Sequence, residues 1–345
     1  MTTDTTKFFV TRPPRPMLSR DADSVYWMSR YVERAEHVAR ILLINTNLLM
    51  DVGELAPDLQ ERQWQSVITI MRSPPLPEPT PPADPPAEST PLAPNSSSAY
   101  RVAHHMAFNA ENPNSLYSCL SRARENARGI RETISHEMWE CLNTLYWALR
   151  DAPARFDESP EDFYRQVITG SMLFQGLADQ TLQHDQRWHF TQLGKFLERI
   201  DVTARVLGTR FSLLKGAEAK LEAPIRNIHW MAVLRSCCSI EAYRRMHIGD
   251  MDPVRVASFL LLEENFPRSV RFCVTQAHAA AAAIRAEVNP RGIDPAERAL
   301  GRLKIQLEYA EAGEIVRPGV GHYCDRIQND VAEAALAIQK TYFLH

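Results

Sequence analysis

The chain has 345 residues, of which 45% are hydrophobic and 23% are charged, and its formal net charge is −3. These values are ordinary for a globular protein, and a chain of this length can bury a large core. The nearly neutral balance excludes a general basic field that would recruit nucleic acid or an acidic membrane surface. We therefore expect neither a nucleic-acid nor a membrane partner.

The cysteines and the N-terminus together indicate a reduced compartment. None of the six cysteines lies in a CxxC motif, which favours free thiols packed as small hydrophobic side chains. The first residues contain no apolar core of a signal peptide, and no apolar run is long enough to span a bilayer. The sequence predicts a cytoplasmic protein.

Two proline-rich segments interrupt the chain. Residues 1–18 are polar and contain three prolines, which predicts a disordered N-terminal arm. Residues 74–94 hold ten of the 23 prolines, and Asn-Ser-Ser-Ser follows at 95–98. Because such a segment neither forms helix nor buries apolar surface, we expect a solvated loop insertion over 74–98.

The remaining sequence is typical of an all-α protein. Glycine is scarce, with 13 residues, and β-branched runs bounded by turn residues are nearly absent. Pro160 and Pro295 each follow a capping residue and mark helix starts. About twelve helices are predicted, over 22–50, 60–72, 99–108, 114–135, 136–150, 160–180, 186–215, 225–247, 253–263, 267–288, 294–311 and 320–343.

An internal repeat relates the two halves of the chain. The segment YVERAEHVARIL at 31–42 aligns with FLERIDVTARVL at 196–207, with five identical positions. Weaker matches continue downstream, and the register shifts where the proline-rich loop is inserted. The repeat predicts a first helical unit over 19–182 and a second over 183–345. We expect them to pack as one helical bundle related by a pseudo-two-fold axis.

The repeated segment carries an acidic–basic signature. On a helical wheel, the charged side chains of the first copy gather opposite the apolar side chains. The same spacing returns in the second copy. The candidate functional residues are Arg30, Glu33, Arg34, Glu36 and Arg40 in the first copy, and Glu198, Arg199, Asp201 and Arg205 in the second.

Three interpretations of this signature are open. The side chains could form a solvated face of weak ion pairs. They could instead form a buried arginine–carboxylate network that specifies the packing of the units. The third possibility is a binding site for an anionic or zwitterionic ligand.

A second candidate site is confined to the first copy. Arg124, Arg128 and Arg131 share one face of a predicted helix, whereas the matching positions of the second copy hold only one arginine. Three arginines on one face can clamp a carboxylate or phosphate. The alternative is a salt-bridged surface, because Glu125 and Glu132 lie at pairing distance along the helix.

Familiar catalytic patterns are missing from the sequence. No histidine has a glutamate three residues before it, and the chain lacks HExxH, GxGxxG, a P-loop and Gly-x-Ser-x-Gly. We therefore assign no catalytic residue, no metal site and no cofactor.

Three long segments resemble the bacterial alpha-E family. They are MLSRDADSVYWMSRYVERAEHVARILL with its Glu33-Arg34 pair, NPNSLYSCLSRARENARGIRETISHEMWECLN at 112–143, and GHYCDRIQNDVAEAALAIQKTYF at 321–343. That family is a predicted α-helical domain with a Glu-Arg motif. The resemblance covers the chain from Met17 onward, although the proline-rich insertion departs from the family's compact pattern.

The resemblance also implies a functional context. Members of the family occur beside, or fused to, an ATP-grasp-type ligase and often a transglutaminase-like protein. This association implies an accessory partner in peptide or amide-bond synthesis or modification. Two alternatives are an enzyme that uses the Glu-Arg helices as acid/base and clamp, and a purely structural helical adaptor. A cavity between the two Glu-Arg helices would favour the enzyme, whereas faces filled by each other's arginines would favour a structural role.

Overall fold

A computed structural model describes residues 17–52, 57–76, 97–154, 156, 158–217, 221–249, 251–288 and 294–343. These residues form α-helices and no β-strand, so the predicted all-α class is confirmed. The helices are α1 Ser19–Val52, α2 Pro57–Ile70, α3 Ser98–Phe108, α4 Leu116–Gly129, α5 His136–Asp151, α6 Pro160–Thr181, α7 Gln186–Ala217, α8 Ala223–Ser236, α9 Ile240–Met246, α10 Pro253–Leu262, α11 Val270–Val288, α12 Pro295–Glu308, α13 Ala312–Val316 and α14 Val320–Ile338, with a 3-10 turn at Ala152–Ala154 and a π-helical turn at Gln339–Phe343.

The prediction of about twelve helices was too low, since fourteen are present in the described part of the chain. The predicted helix over 225–247 is broken between α8 and α9, because Cys238 adopts a left-handed conformation with φ of 57°. The hydroxyl of Ser239 donates to the carbonyl of Leu234 and closes the end of α8. Helix α13 lies in a segment for which no helix was predicted.

Side-chain caps fix several helix starts. The hydroxyl of Ser115 accepts a hydrogen bond from the amide of Ser118 at the start of α4, and Ser135 caps α5 through the amide of Met138. Such caps satisfy backbone donors that a helix leaves unpaired at its N-terminus. The Ser135 cap places the start of α5 at His136, as predicted, whereas the helix predicted over 114–135 begins at Leu116 and already ends at Gly129.

Helices α1 and α7 are the two longest and lie at the centre of the bundle. They run parallel, since the hydroxyl of Ser29 donates to the Thr191 carbonyl and Arg210 donates to Asn45 further along both helices. Helices α4 and α6 pack against α1, while α11 and α14 pack against α7. Every residue from 190 to 208 is buried. Charged side chains in this stretch therefore need partners within the protein.

Two predictions lie largely outside the described residues, namely the arm over 1–18 and the loop insertion over 74–98. The duplication and its pseudo-two-fold axis stay predictions, as does the division into units at 182/183. Among the described helices, none combines the length and apolar character required to cross a bilayer.

Candidate functional site

The Glu-Arg pairs of α1 and α7 bind each other reciprocally. Arg199 donates to both oxygens of Glu33, at 2.7 and 2.9 Å. Arg34 donates to both oxygens of Glu198, at 2.6 and 2.9 Å. Because the two helices are parallel, the same dipeptide of each helix meets its counterpart. Bidentate arginine–carboxylate pairs of this kind are short and directional.

A second arginine also binds Glu198. Nε of Arg30 lies 2.9 Å from Oε2 of Glu198, and Nη1 of Arg30 donates to the hydroxyl of Tyr26 at 3.0 Å. The Glu198 side chain is fully buried. Burial alone would raise the pKa of Glu198, but Arg34 and Arg30 overcome it and hold this pKa well below its usual range.

The acidic residues of α1 are enclosed on the other side of the network. Arg268, which precedes α11, donates to Glu36 at 3.0 Å and approaches Glu33 at 3.6 Å. Arg40 donates to Glu36 from the same helix at 2.7 Å. Burial would raise the pKa of Glu36, but Arg268, His37 and Arg40 lower it to about 2. Arg199 and Arg268 likewise outweigh burial and keep the pKa of Glu33 low.

Asp201 occupies the corresponding place on α7. Nη2 of Arg205 lies 3.1 Å from Asp201, and Arg205 also donates to the carbonyl of Ile70 at the end of α2. Arg72 approaches Asp201 at 3.5 Å and donates to Gln328 of α14 at 3.1 Å. The Arg72 side chain is 56% exposed, so the network reaches the surface at this point.

Cations outnumber anions in this network. Its four carboxylates belong to Glu33, Glu36, Glu198 and Asp201, and its seven arginines are Arg30, Arg34, Arg40, Arg72, Arg199, Arg205 and Arg268. Each carboxylate contacts at least two of these arginines, and the network contains three more arginines than carboxylates. We call this set the Glu-Arg network.

One part of the network has the spacing of metal ligands. Ligand atoms of Glu33, Glu36 and His37 lie within 4.8 Å of one another and are buried. Arg199 and Arg268 already bind the two carboxylates, and their positive charges would repel a cation at close range. The donor set suits arginine pairing rather than a metal ion.

The network meets a cleft between α1 and the end of α14. The cleft has a volume of about 260 Å³ and is lined on its polar side by Arg30, Arg72 and Asp201. The guanidinium groups of Arg199 and Arg34 lie directly against the carboxylates of Glu33 and Glu198, which they bind through both oxygens. Among the three interpretations of the signature, this geometry corresponds to the buried network and excludes a solvated face.

The predicted cationic stripe does not join the network, and only Arg124 and Arg128 lie on α4, because that helix ends at Gly129 before Arg131. Arg124 and Arg131 lie over the ring of Trp139, at 5.3 and 4.7 Å from its centroid. Arg128 is exposed and pairs with Glu125 at 2.7 Å. The three side chains thus rest on aromatic rings or a neighbouring acid, and they do not converge as a clamp.

Two members of the network were not predicted from the sequence. Arg72 follows α2 and Arg268 precedes α11, so each lies outside the repeated signature. The only signal for Arg268 was its position between Pro267 and Ser269, which align with Pro113 and Ser115 in the repeat. Asn114, the residue between that earlier pair, accepts a hydrogen bond from Arg34 at 2.8 Å.

Comparisons with known proteins identify relatives of unknown function. Uncharacterised proteins of Mycobacterium bovis and of two strains of Mycobacterium tuberculosis are 24% identical over 267 residues. The match covers 73% of this chain and 28% of each relative, so the chain corresponds to little more than a quarter of those longer proteins. No solved structure matches the chain.

A family profile covers nearly the whole sequence. The Alpha-E profile, described as "a predicted alpha-helical domain with a conserved ER motif", matches residues 17–343. The Glu33-Arg34 and Glu198-Arg199 dipeptides, whose side chains interlock between α1 and α7, are instances of an ER sequence. With its profile match and its all-α fold, the chain belongs to the Alpha-E family.

Proposed function

We propose that this chain is a non-catalytic partner of an ATP-grasp-type ligase that makes or modifies a peptide or another amide-linked molecule. The observation that supports a non-catalytic role is that arginines bind all four carboxylates of the Glu-Arg network. A general acid or base needs a pKa near the working pH and access to the substrate. Glu33, Glu36 and Glu198 are buried, and their pKa values lie below the usual range.

The Glu-Arg signature then serves the scaffold, and the outer surface is left for function. Family resemblance supplies the class of partner, together with a transglutaminase-like protein as a second partner of the same system. The length of the relatives supports a role beside other domains, because the matched region is 28% of their chains. The enzyme alternative loses its main support, since the Glu33 and Glu198 carboxylates are both bound by arginines of the other helix.

The surface of α4 and α5 is suited to contact a protein partner. The guanidinium groups of Arg124 and Arg131 lie over the ring of Trp139. Trp147 is 42% exposed, and Arg150 stacks on it at 4.7 Å from the ring centroid. Tryptophan and arginine are the residues most enriched in binding hot spots. We assign the ligase contact to this aromatic–arginine surface.

The test is reconstitution with the ATP-grasp-type ligase encoded nearest to this protein. Both purified proteins would be mixed and their complex measured by size-exclusion chromatography and titration calorimetry. Trp147→Ala and Arg131→Ala should each weaken binding by about 1–2 kcal/mol, as hot-spot truncations do. The matched control is Arg302→Ala, which removes an exposed arginine of α12 paired with Glu333.

Three outcomes are informative. A complex lost in Trp147→Ala and Arg131→Ala and kept in Arg302→Ala supports both the partnership and its surface. A complex that survives Trp147→Ala and Arg131→Ala places the contact elsewhere. No complex at micromolar concentrations contradicts the partnership and leaves the structural adaptor as the better description.

A further inference from the structure

We propose that the cleft between α1 and the end of α14 binds a small ligand with one carboxylate group and an apolar body. This site goes beyond the ligase partnership and does not rest on it. Three features of the cleft support such a ligand, namely its charge, its apolar wall and its size.

The polar side of the cleft offers unused arginine donors. Nε of Arg30 donates to Glu198 and Nη1 donates to Tyr26, whereas Nη2 makes no hydrogen bond within the described residues. Nη2 of Arg72 contacts Gln328 and Asp201, which leaves Nε and Nη1 of that exposed side chain available. Both arginines therefore line the cleft with guanidinium donors that can make charge-assisted hydrogen bonds to a carboxylate.

The charge behind this wall also favours an anion. Arg30 and Arg72 belong to a network that holds three more arginines than carboxylates among the described residues. The carboxylate of Asp201, which also lines the cleft, is already bound by Arg205 at 3.1 Å. An incoming carboxylate therefore meets a wall with a surplus of positive charge in a partly desolvated place, where Coulombic attraction is stronger than in water.

The opposite wall is apolar. Its apolar lining comes from Val331, Ala332, Ala335 and Leu336 of α14, Phe343 of the π-helical turn and Trp27 of α1. Gln328 and Gln339 are the polar residues that this C-terminal segment adds to the lining. Leu336 is 50% exposed, so apolar surface remains to be covered. The π-helical turn brings Phe343 to 5.3 Å from the ring of Tyr26, and such turns are common at functional sites.

The size of the cleft limits the ligand. Its volume of about 260 Å³ is below the range of roughly 300–1,000 Å³ found for pockets of drug-sized ligands. One amino-acid derivative or the C-terminal residue of a peptide has suitable dimensions. Both sources present the same group, an apolar side chain next to a carboxylate.

The probe pair for the experiment is N-acetyl-phenylalanine and its amide, which differ only in the carboxylate. Binding to the full chain would be measured by calorimetry and by ligand-observed NMR up to about 10 mM, which detects sites with Kd near 1 mM. We expect the acid to bind at least tenfold more tightly than the amide, because a charge-assisted pair is lost in the amide. The tripeptide Ala-Ala-Phe, compared with the acid, then distinguishes a peptide end from a free acid.

Variants assign the binding to the cleft. Arg72→Gln keeps a polar side chain but removes the guanidinium group and its charge, and we expect a loss of about tenfold in affinity for the acid. The control Arg302→Gln removes an equally exposed arginine of α12 and should leave the affinity unchanged. Circular dichroism would verify that both variants are folded.

Three results would overturn the proposal. They are equal affinities for acid and amide, an unchanged affinity in Arg72→Gln, and the absence of binding by the acid at 10 mM, about ten times the weakest Kd considered. None depends on the ligase, so this site and the partnership can fail separately.

Discussion

The two ends of the Glu-Arg network differ although they start from the same motif spacing. At the α1 end, Glu36 is bound by Arg40 and by Arg268, and all three side chains are largely buried. At the α7 end, Asp201 is bound by Arg205, but its second arginine lies at 3.5 Å and is 56% exposed. The first end is closed by protein, and the second opens into the cleft.

The difference comes from residues outside the motif. The closed end receives Arg268 from the segment before α11, whereas the residue that the predicted repeat aligns with it is Asn114. The open end receives Arg72 from the turn after α2, and counting from Trp64 and Trp230 the predicted repeat aligns it with Cys238. A shared motif therefore holds the two helices together, and unshared arginines decide where the network meets solvent.

The centre of the network should tolerate change least. Glu198→Gln leaves Arg30 and Arg34 buried beside a neutral amide, and we expect a loss of about 3–5 kcal/mol in the free energy of unfolding. Urea denaturation followed by circular dichroism would measure it. The control Glu125→Gln breaks an exposed pair with Arg128 and should change the stability by less than about 1 kcal/mol. A loss for Glu198→Gln no larger than the control would contradict the buried network.

Low pH should protonate Glu36 at the closed end of the network and lower the free energy of unfolding. The pKa of Glu36 is about 2 in the folded protein and 4.5 is its ordinary value, so the folded state binds the proton less readily. The stabilisation is complete above about pH 5 and is lost as the pH falls toward 2, with about 3 kcal/mol at stake for this group.

Denaturation curves between pH 7 and pH 2 would measure this dependence. Glu36→Gln removes the titrating group and should flatten the curve between pH 5 and pH 2, since its amide stays neutral throughout. An unchanged slope in that variant would show that Glu36 does not carry the acid sensitivity.

The two unshared arginines should differ in their contribution to stability. Arg268→Met removes a buried cation that contacts Glu33 and Glu36, and we expect a loss of about 2–3 kcal/mol. Arg72→Met removes a half-exposed cation, with an expected loss below about 1 kcal/mol. Thermal and urea unfolding of the two variants would be compared directly. Equal losses would mean that the closed and open ends are energetically alike.

The smallest expected change in stability comes from substitutions of Arg72 and Cys238, the two turn residues that the predicted repeat aligns. Arg72 and Cys238 both have positive φ, at 49° and 57°, which costs a side-chain-bearing residue about 1–2 kcal/mol. Cys238→Gly should relieve this strain and, after the extra chain entropy of glycine, stabilise the protein by about 0.5–1 kcal/mol. Arg72→Gly should stabilise the protein less than Cys238→Gly does, because it also removes the contacts with Asp201 and Gln328. Destabilisation by Cys238→Gly in urea would contradict this account.

Much of the fold was predictable because its signals are local. Ser159-Pro160 marks the start of α6, which was predicted over 160–180 and spans Pro160–Thr181. The break at Cys238 was missed, since neither glycine nor proline marks that turn. The family was also predicted from the sequence, and the profile match confirms it.

The site was less predictable because it depends on contacts between distant segments. The wheel placed Glu33, Glu36 and Arg40 on one face of α1, but it gave no means of knowing that α7 covers that face. Arg72 and Arg268 are single residues in turns, and only the folded chain brings them to Asp201 and Glu36. The sequence placed Arg124, Arg128 and Arg131 on one helix, but α4 ends at Gly129 and Arg131 lies in the turn that follows. Arg124 and Arg131 both lie over the ring of Trp139 on the next helix.

The reciprocal ion pairs between α1 and α7 also determine when, during synthesis of the chain, the centre of the bundle can form. The two bidentate pairs join residues 164 and 166 positions apart. At about 5–20 residues per second, a ribosome needs roughly 10–30 s to travel that distance. During this interval the nascent first half carries Glu33 and Arg34 without their final partners. Its charged face must stay hydrated until α7 emerges, so the centre of the bundle is completed late.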